Sequence, residues 1–147
     1  MVLQSKFATC LSAIAMLIGF SCNLSKHNEA GVVAAMKHYD HLILKLDADS
    51  ISGLYTPDGN LGGIAIGRDS IRKFISSFKN VKVLSQLSSR GVITISHDTA
   101  IQKGTYAQTD VLSGKDTVHV KGEYTARWEW IRPTGWFIKK MTTKPIH

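Results

Sequence analysis

Residues 117–138 read TVHVKGEYTARWEWIRPTGWFI, and from Val118 to Trp130 every even-numbered residue is apolar, tyrosine or glycine. His119, Lys121, Glu123, Thr125, Arg127 and Glu129 fill the odd positions between them. Side chains of a strand point alternately to opposite faces, so this period of two predicts a long antiparallel strand with its even face buried and its odd face wet. Arg132-Pro133-Thr134-Gly135 supplies turn chemistry and Trp136-Phe137-Ile138 begins the return strand. All three tryptophans of the chain fall in this hairpin, which makes it the expected wall of the core.

Upstream of the hairpin the pattern stays β-rich as far back as residue 81. Residues 81–87 and 92–96 read as strands, with Ser88-Ser89-Arg90-Gly91 as a bulge or turn between them. His97-Asp98 reads as a turn into a strand over 99–111, and Leu112-Ser113-Gly114 as a hairpin connection with Gly114 left-handed. Before residue 80 the period changes to that of helices. Asn28 is a good N-cap, and Val32, Met36, Tyr39, Ile43 and Leu46 form the stripe of an amphipathic helix, with Lys37, Asp40, His41 and Lys45 off it. A second, short helix capped by Asp47 or Asp49 carries Ile51, Leu54 and Tyr55, and Pro57-Asp58-Gly59 reads as the turn that ends it. Residues 61–66 form a short strand-like run, and Gly67-Arg68-Asp69 opens a third helix with Ile71, Phe74, Ile75 and Phe78 on one face. Helices first and a meander of strands afterwards predict an α+β domain with three N-terminal helices packed on one face of an antiparallel sheet.

A chain of 147 residues with 44% hydrophobic residues is the size and composition of one globular domain. Its formal charge of +7 raises the question of nucleic acid, but the lysines and arginines are spread along the chain and alternate with apolar residues, as on a solvated face. No nucleic-acid partner is therefore expected. Cys10 and Cys22 are the only cysteines. Lys6, the apolar run LSAIAMLIGF over residues 11–20 and the small residues after it form a secretory signal, too short to span a membrane. Its end resembles a bacterial lipoprotein signal, in which the cysteine after the cut carries lipid; Ser21 fits that pattern, whereas Gly19 stands where leucine is usual. Residues 1–21 are thus read as signal, 22–27 as a polar tether lipidated at Cys22, and 28–147 as the domain of an exported, membrane-anchored protein. Cleavage elsewhere, for instance after Ala13-Ile14-Ala15, would instead leave Cys22 an unmodified thiol.

DSISGLYTPDGN over residues 49–60, Gly67-Arg68-Asp69-Ser70-Ile71, and Gly122-Glu123-Tyr124 leading to Trp128 and Gly135-Trp136 together resemble the nuclear transport factor 2-like superfamily, in particular its SnoaL-like and ketosteroid isomerase-like bacterial branch. The resemblance covers residues 28–145. It implies a cone-shaped fold, a curved antiparallel sheet wrapping the long helix, with a pocket at the wide end and often a homodimer through the outer sheet face. The superfamily includes isomerases, polyketide cyclases, dehydratases and epoxide hydrolases beside members without known catalysis, so the reaction must be argued from residues. Matching Tyr39 to the helix tyrosine of the isomerases puts their base position on Gly63 and their strand acid near Ala126. Neither side chain can move a proton, and no catalytic residue is assigned.

For the implied pocket, Tyr39, Tyr55, Tyr106 and Tyr124 are candidates because each joins apolar area to a hydroxyl; the plain alternative for each is a core tyrosine bonded to backbone. Gln102 and Gln108 share parity with Tyr106 and could line the same wall or face water. Trp128, Trp130 and Trp136 offer either a stacking platform for a flat ligand, with Trp128 foremost, or core. His38, Asp40 and His41 lack a second cluster to complete a metal site, so neither metal nor cofactor is expected. The leading functional expectation is binding of a small, largely apolar molecule without catalysis. An enzyme of the cyclase, isomerase or dehydratase kind and a dimeric interaction module with a vestigial pocket are the alternatives.

Overall fold

The computed structural model of the protein describes residues 26–146. The signal segment 1–21, the lipidation position Cys22 and the first part of the tether lie outside the described residues. Asn28 accepts a hydrogen bond from Gly31 N at 3.0 Å and so caps α1 (Glu29–Ile43). Asp47 does the same for α2 (Ala48–Gly53), accepting from Ser50 N at 3.1 Å and Ser50 Oγ at 2.7 Å. The chain continues through β1 (Tyr55–Leu61), β2 (Ala65–Ile66), α3 (Arg68–Ser76), β3 (Val81–Ser88), β4 (Val92–Ser96), β5 (Thr99–Leu112), β6 (Asp116–Ile131) and β7 (Gly135–Pro145). No described helix is long and apolar enough to cross a membrane.

These elements make an α+β domain around one open seven-stranded sheet in the order β2-β1-β7-β6-β5-β3, with β4 also on β5. The sheet is mixed, which corrects the expectation of a purely antiparallel one: β1 runs parallel to β7, with Tyr55 opposite Ile138 and Leu61 opposite Met141. Alternation of side chains marks a strand but carries no information on the direction of its partner. Pro57-Asp58-Gly59, expected to be a turn, lies inside β1. Proline is tolerated there because it falls where the β1–β7 register shifts, between Tyr55 and Asn60, and no ladder N–H is required of it. The turn comes later, at residues 62–64 between β1 and β2, where a short strand-like run was expected. Tyr55, expected on the short helix, is the first residue of β1.

The even face of β6 is inward: Gly122, Tyr124, Ala126 and Trp128 are buried, while Lys121, Glu123 and Arg127 are exposed. Its two long neighbours put Gln102 of β5 and Met141 of β7 beside Ala126; the β5 register is unbroken, whereas the β7 register shifts between Arg127 and Trp128. Val32 and Met36 of α1, Ile51 of α2 and Ile71 of α3 pack with Trp128, Ile138 and Met141 to form the core. Trp136 is also buried, and Trp130 is partly buried, stacked on His27 with ring centroids 4.7 Å apart.

β3 and β4 share one edge of β5. β3 pairs with Tyr106–Leu112 and β4 with Thr99–Lys103, and residues 89–91 form the break between them. Gly91 sits there at φ +63, and a Cβ on it would lie 2.0 Å from Lys103 O. Only glycine meets both the left-handed backbone and the close approach. The break carries β3 over α1, where its inner face meets the helix.

Candidate functional site

A cavity of about 370 Å³ opens between α1, α3 and the inner faces of β3, β5, β6 and β7. Its floor and sides are apolar: Met36 and Ile43 of α1, Phe74 and Ile75 of α3, Val83 of β3 and Val120 of β6 all line it. One wall is polar, and the β3–β5 register explains why. Gln86 stands opposite Gln108 and Ser88 opposite Tyr106, with Asp110 two residues beyond Gln108 on the same face. All five side chains line the cavity.

Asp40 of α1 closes this wall from behind. It is buried and accepts from Gln86 Nε2 at 3.1 Å, Ser88 N at 2.8 Å and Ser88 Oγ at 2.7 Å. Those bonds tie the long helix to β3 and orient the Gln86 amide, because a carboxylate requires the NH2 end toward it. Gln86 Oε1, turned away from Asp40, is buried without a hydrogen-bond partner among the described residues. Asp110 is 9% exposed, and both its carboxylate oxygens accept from Gln108 Nε2 at 2.9 Å.

The tyrosines expected at the site part company. Tyr39, Tyr106 and Tyr124 line the cavity, whereas Tyr55 does not. Tyr55 is fully buried in the core. The Tyr39 hydroxyl is near enough to act on it electrostatically, after burial the main cause that holds the Tyr55 hydroxyl well above the ordinary tyrosine range. Burial likewise pushes the Tyr39 hydroxyl up to about 12. Burial, and then the nearby Asp40 charge, push Tyr124 to about 12 as well. Tyr124 donates to Ser89 O at 2.6 Å, so its hydroxyl is committed to the β3–β4 break.

Gln102 and Trp128 form a pair away from this cavity. Trp128 Nε1 donates to Gln102 Oε1 at 3.1 Å, and Gln102 Nε2 donates to Arg90 O at 2.9 Å. Gln102 is fully buried, so its parity with Tyr106 places it in the core layer rather than on the ligand wall. Trp128 borders a second hollow of about 650 Å³ between the alanine-rich side of α1 and the β6–β7 hairpin, together with Trp136, Phe137, Lys26 and His38. The indole N–H groups there are already used, Trp128 on Gln102 and Trp136 on Lys26 O at 3.1 Å. Its polar side chains are Lys26, His38 and Thr134, none a carboxylate or amide, and with its indole N–H groups spent the second hollow is the weaker candidate despite its size.

Asp40, Gln86, Ser88 and Asp110 were not among the expected site residues. Asp40 was set off the helix stripe, yet it lies four residues after Met36 and three before Ile43, spacings that place it on the buried face. Asp110 shares parity with Gln102, Tyr106 and Gln108, a signal visible in the sequence. Because Asp40 turns inward while His38 and His41 are exposed, the three do not gather. Among the described residues no group of three or more histidines, cysteines or carboxylates could hold a metal ion.

A ketosteroid isomerase-like protein from Erwinia carotovora atroseptica matches with a TM-score of 0.72 at 19% identity, covering 83% of this chain and 98% of that one. The chain has the nuclear transport factor 2-like fold. A nuclear transport factor 2-like protein from Cytophaga hutchinsonii matches with a TM-score of 0.68 at 15% identity over 82% of this chain and 100% of that one. Aln2 from a Streptomyces species matches with a TM-score of 0.66 at 7% identity over 78% and 87%. No protein-family model and no curated protein matches the sequence. Within the nuclear transport factor 2-like fold, Gly63 lies exposed in the β1–β2 turn and Ala126 is fully buried. Among the described residues the carboxylate that lines the cavity is Asp110 of β5.

Proposed function

We propose that the protein is exported, held at a membrane by lipid on Cys22, and binds a small, largely apolar molecule in the cavity between α1 and the sheet without transforming it. The observation that carries this reading is the cavity itself: apolar on most sides, about 370 Å³, with one polar wall contributed by β3 and β5. A hollow of that size suits a small ligand, and polar groups gathered on one wall would orient it. The sequence around Ser21-Cys22 supports the anchor.

One observation favours a second reading, an enzyme. Asp110 is an aspartate lining the cavity whose one donor group among the described residues is the Gln108 amide, and a buried carboxylate in a mainly apolar cavity is a candidate for proton transfer. Native mass spectrometry of protein purified from its own host tests both readings. The binding reading expects a co-purified small molecule that is lost from Val120→Trp, a variant that fills the cavity; an adduct retained by a folded Val120→Trp protein, or no adduct, counts against it. Conversion of the released molecule by the unaltered protein but not by Asp110→Asn would establish the enzyme instead.

A further inference from the structure

Building on the cavity as a binding site, we propose that its ligand is an apolar amine, seated with its ammonium group against Asp110. The two buried aspartates of this region are treated very differently by the protein. Asp40 receives three donors from Gln86 and Ser88. Asp110, 9% exposed, has among the described residues one nitrogen, Gln108 Nε2, shared between its two oxygens. A carboxylate offers about four acceptor sites, so Asp110 is under-served by its own chain.

No lysine, arginine or histidine lines the cavity among the described residues, and neither aspartate joins an ion pair there. A chain with a formal charge of +7 has cations to spare, yet they lie elsewhere. Burying a carboxylate without a cation is costly, and a cationic ligand would remove that cost.

The neighbouring amides sharpen the chemistry. Gln86 and Gln108 are cross-strand partners, and each turns its NH2 end to a carboxylate, Gln86 to Asp40 and Gln108 to Asp110. Their carbonyls are thereby turned elsewhere, and Gln86 Oε1 is buried with no donor among the described residues. An ammonium has three donors and no acceptor, and complements the Asp110 carboxylate. A ligand carboxylate would set acceptor against acceptor and charge against like charge. Val83, Leu112 and Val120 flank Asp110 and supply apolar contact for the body of the molecule. The net positive charge of the protein does not oppose this at contact range, since exposed charges are screened beyond about 8 Å at physiological ionic strength.

Tryptamine, tryptophol and indoleacetate share one body and differ in the group at its end, and isothermal titration calorimetry at neutral pH compares them. Tryptamine is expected to bind about tenfold or more tightly than tryptophol, the scale of a charge-assisted bond over a neutral one, with indoleacetate weakest. Asp110→Asn, which keeps the shape and removes the charge, should bring tryptamine down to the level of tryptophol and leave tryptophol unchanged. Equal binding of all three, or an amine preference that persists in Asp110→Asn, overturns the amine while leaving the cavity as a binding site. Binding by none of the three overturns both. Should Asp110→Asn fail to fold by circular dichroism, the order of the three probes on the unaltered protein decides alone.

Discussion

The indole of Trp128 is 1% exposed, and its Nε1 donates to a glutamine that is itself fully buried. Truncating it removes one of the largest side chains of the core and orphans Gln102 Oε1. Trp128→Ala is therefore expected to lose about 3 to 5 kcal/mol of stability by urea denaturation; a loss below about 1 kcal/mol would show that the indole is not core. Asp40 makes the converse point at the same scale. An acidic residue in the buried stripe of a helix is tolerated because β3 brings three donors to it. Those same bonds aim the Gln86 amide, so a structural aspartate sets the polarity of the cavity wall.

Among the elements, the edge of β5 is the most consequential. Were β3 and β4 one continuous strand, residues 81–88 would not be free to turn over α1. The break at residues 89–91 is held by Ser89 N donating to Thr105 O at 2.8 Å, by Thr105 N donating to Ser89 Oγ at 2.9 Å, and by the Tyr124 hydroxyl on Ser89 O. Gly91→Ala adds a methyl 2.0 Å from Lys103 O at a φ of +63. The left-handed backbone alone costs about 1 to 2 kcal/mol for a residue with a Cβ, and the clash adds to it. A lower melting temperature together with weaker ligand binding is expected for this variant; an unchanged melting temperature would mean that the break does not depend on glycine.

At the scale of the whole molecule, the helices close one side of the sheet around a cluster of tyrosine hydroxyls that are costly to ionise. Tyr39 and Tyr124 are pushed from 10.0 to about 12, chiefly by burial, and Tyr55 is held well above its ordinary value by the same cause. A raised tyrosine favours the neutral form in the folded state. Its contribution is complete below the ordinary value near 10.0 and is lost as pH rises through about 12. Melting temperatures measured from pH 9 upward should stay level and then fall across that window, and Tyr39→Phe should lessen the fall. A level profile through the window would contradict the burial of these hydroxyls. Alternation along residues 118–130 was enough to foretell which face of β6 is buried, and the spacing of Val32, Met36 and Ile43 enough to foretell the helix that covers it, because local periodicity and burial are one signal. The parallel β1–β7 pair, the place of Pro57 inside a strand and the polar wall built by Gln86, Ser88, Gln108 and Asp110 with Asp40 behind it were decided only in the folded chain. Each depends on a partner tens of residues away, and neither strand direction nor the pairing of a buried carboxylate with its donors leaves a mark on the periodicity of either segment.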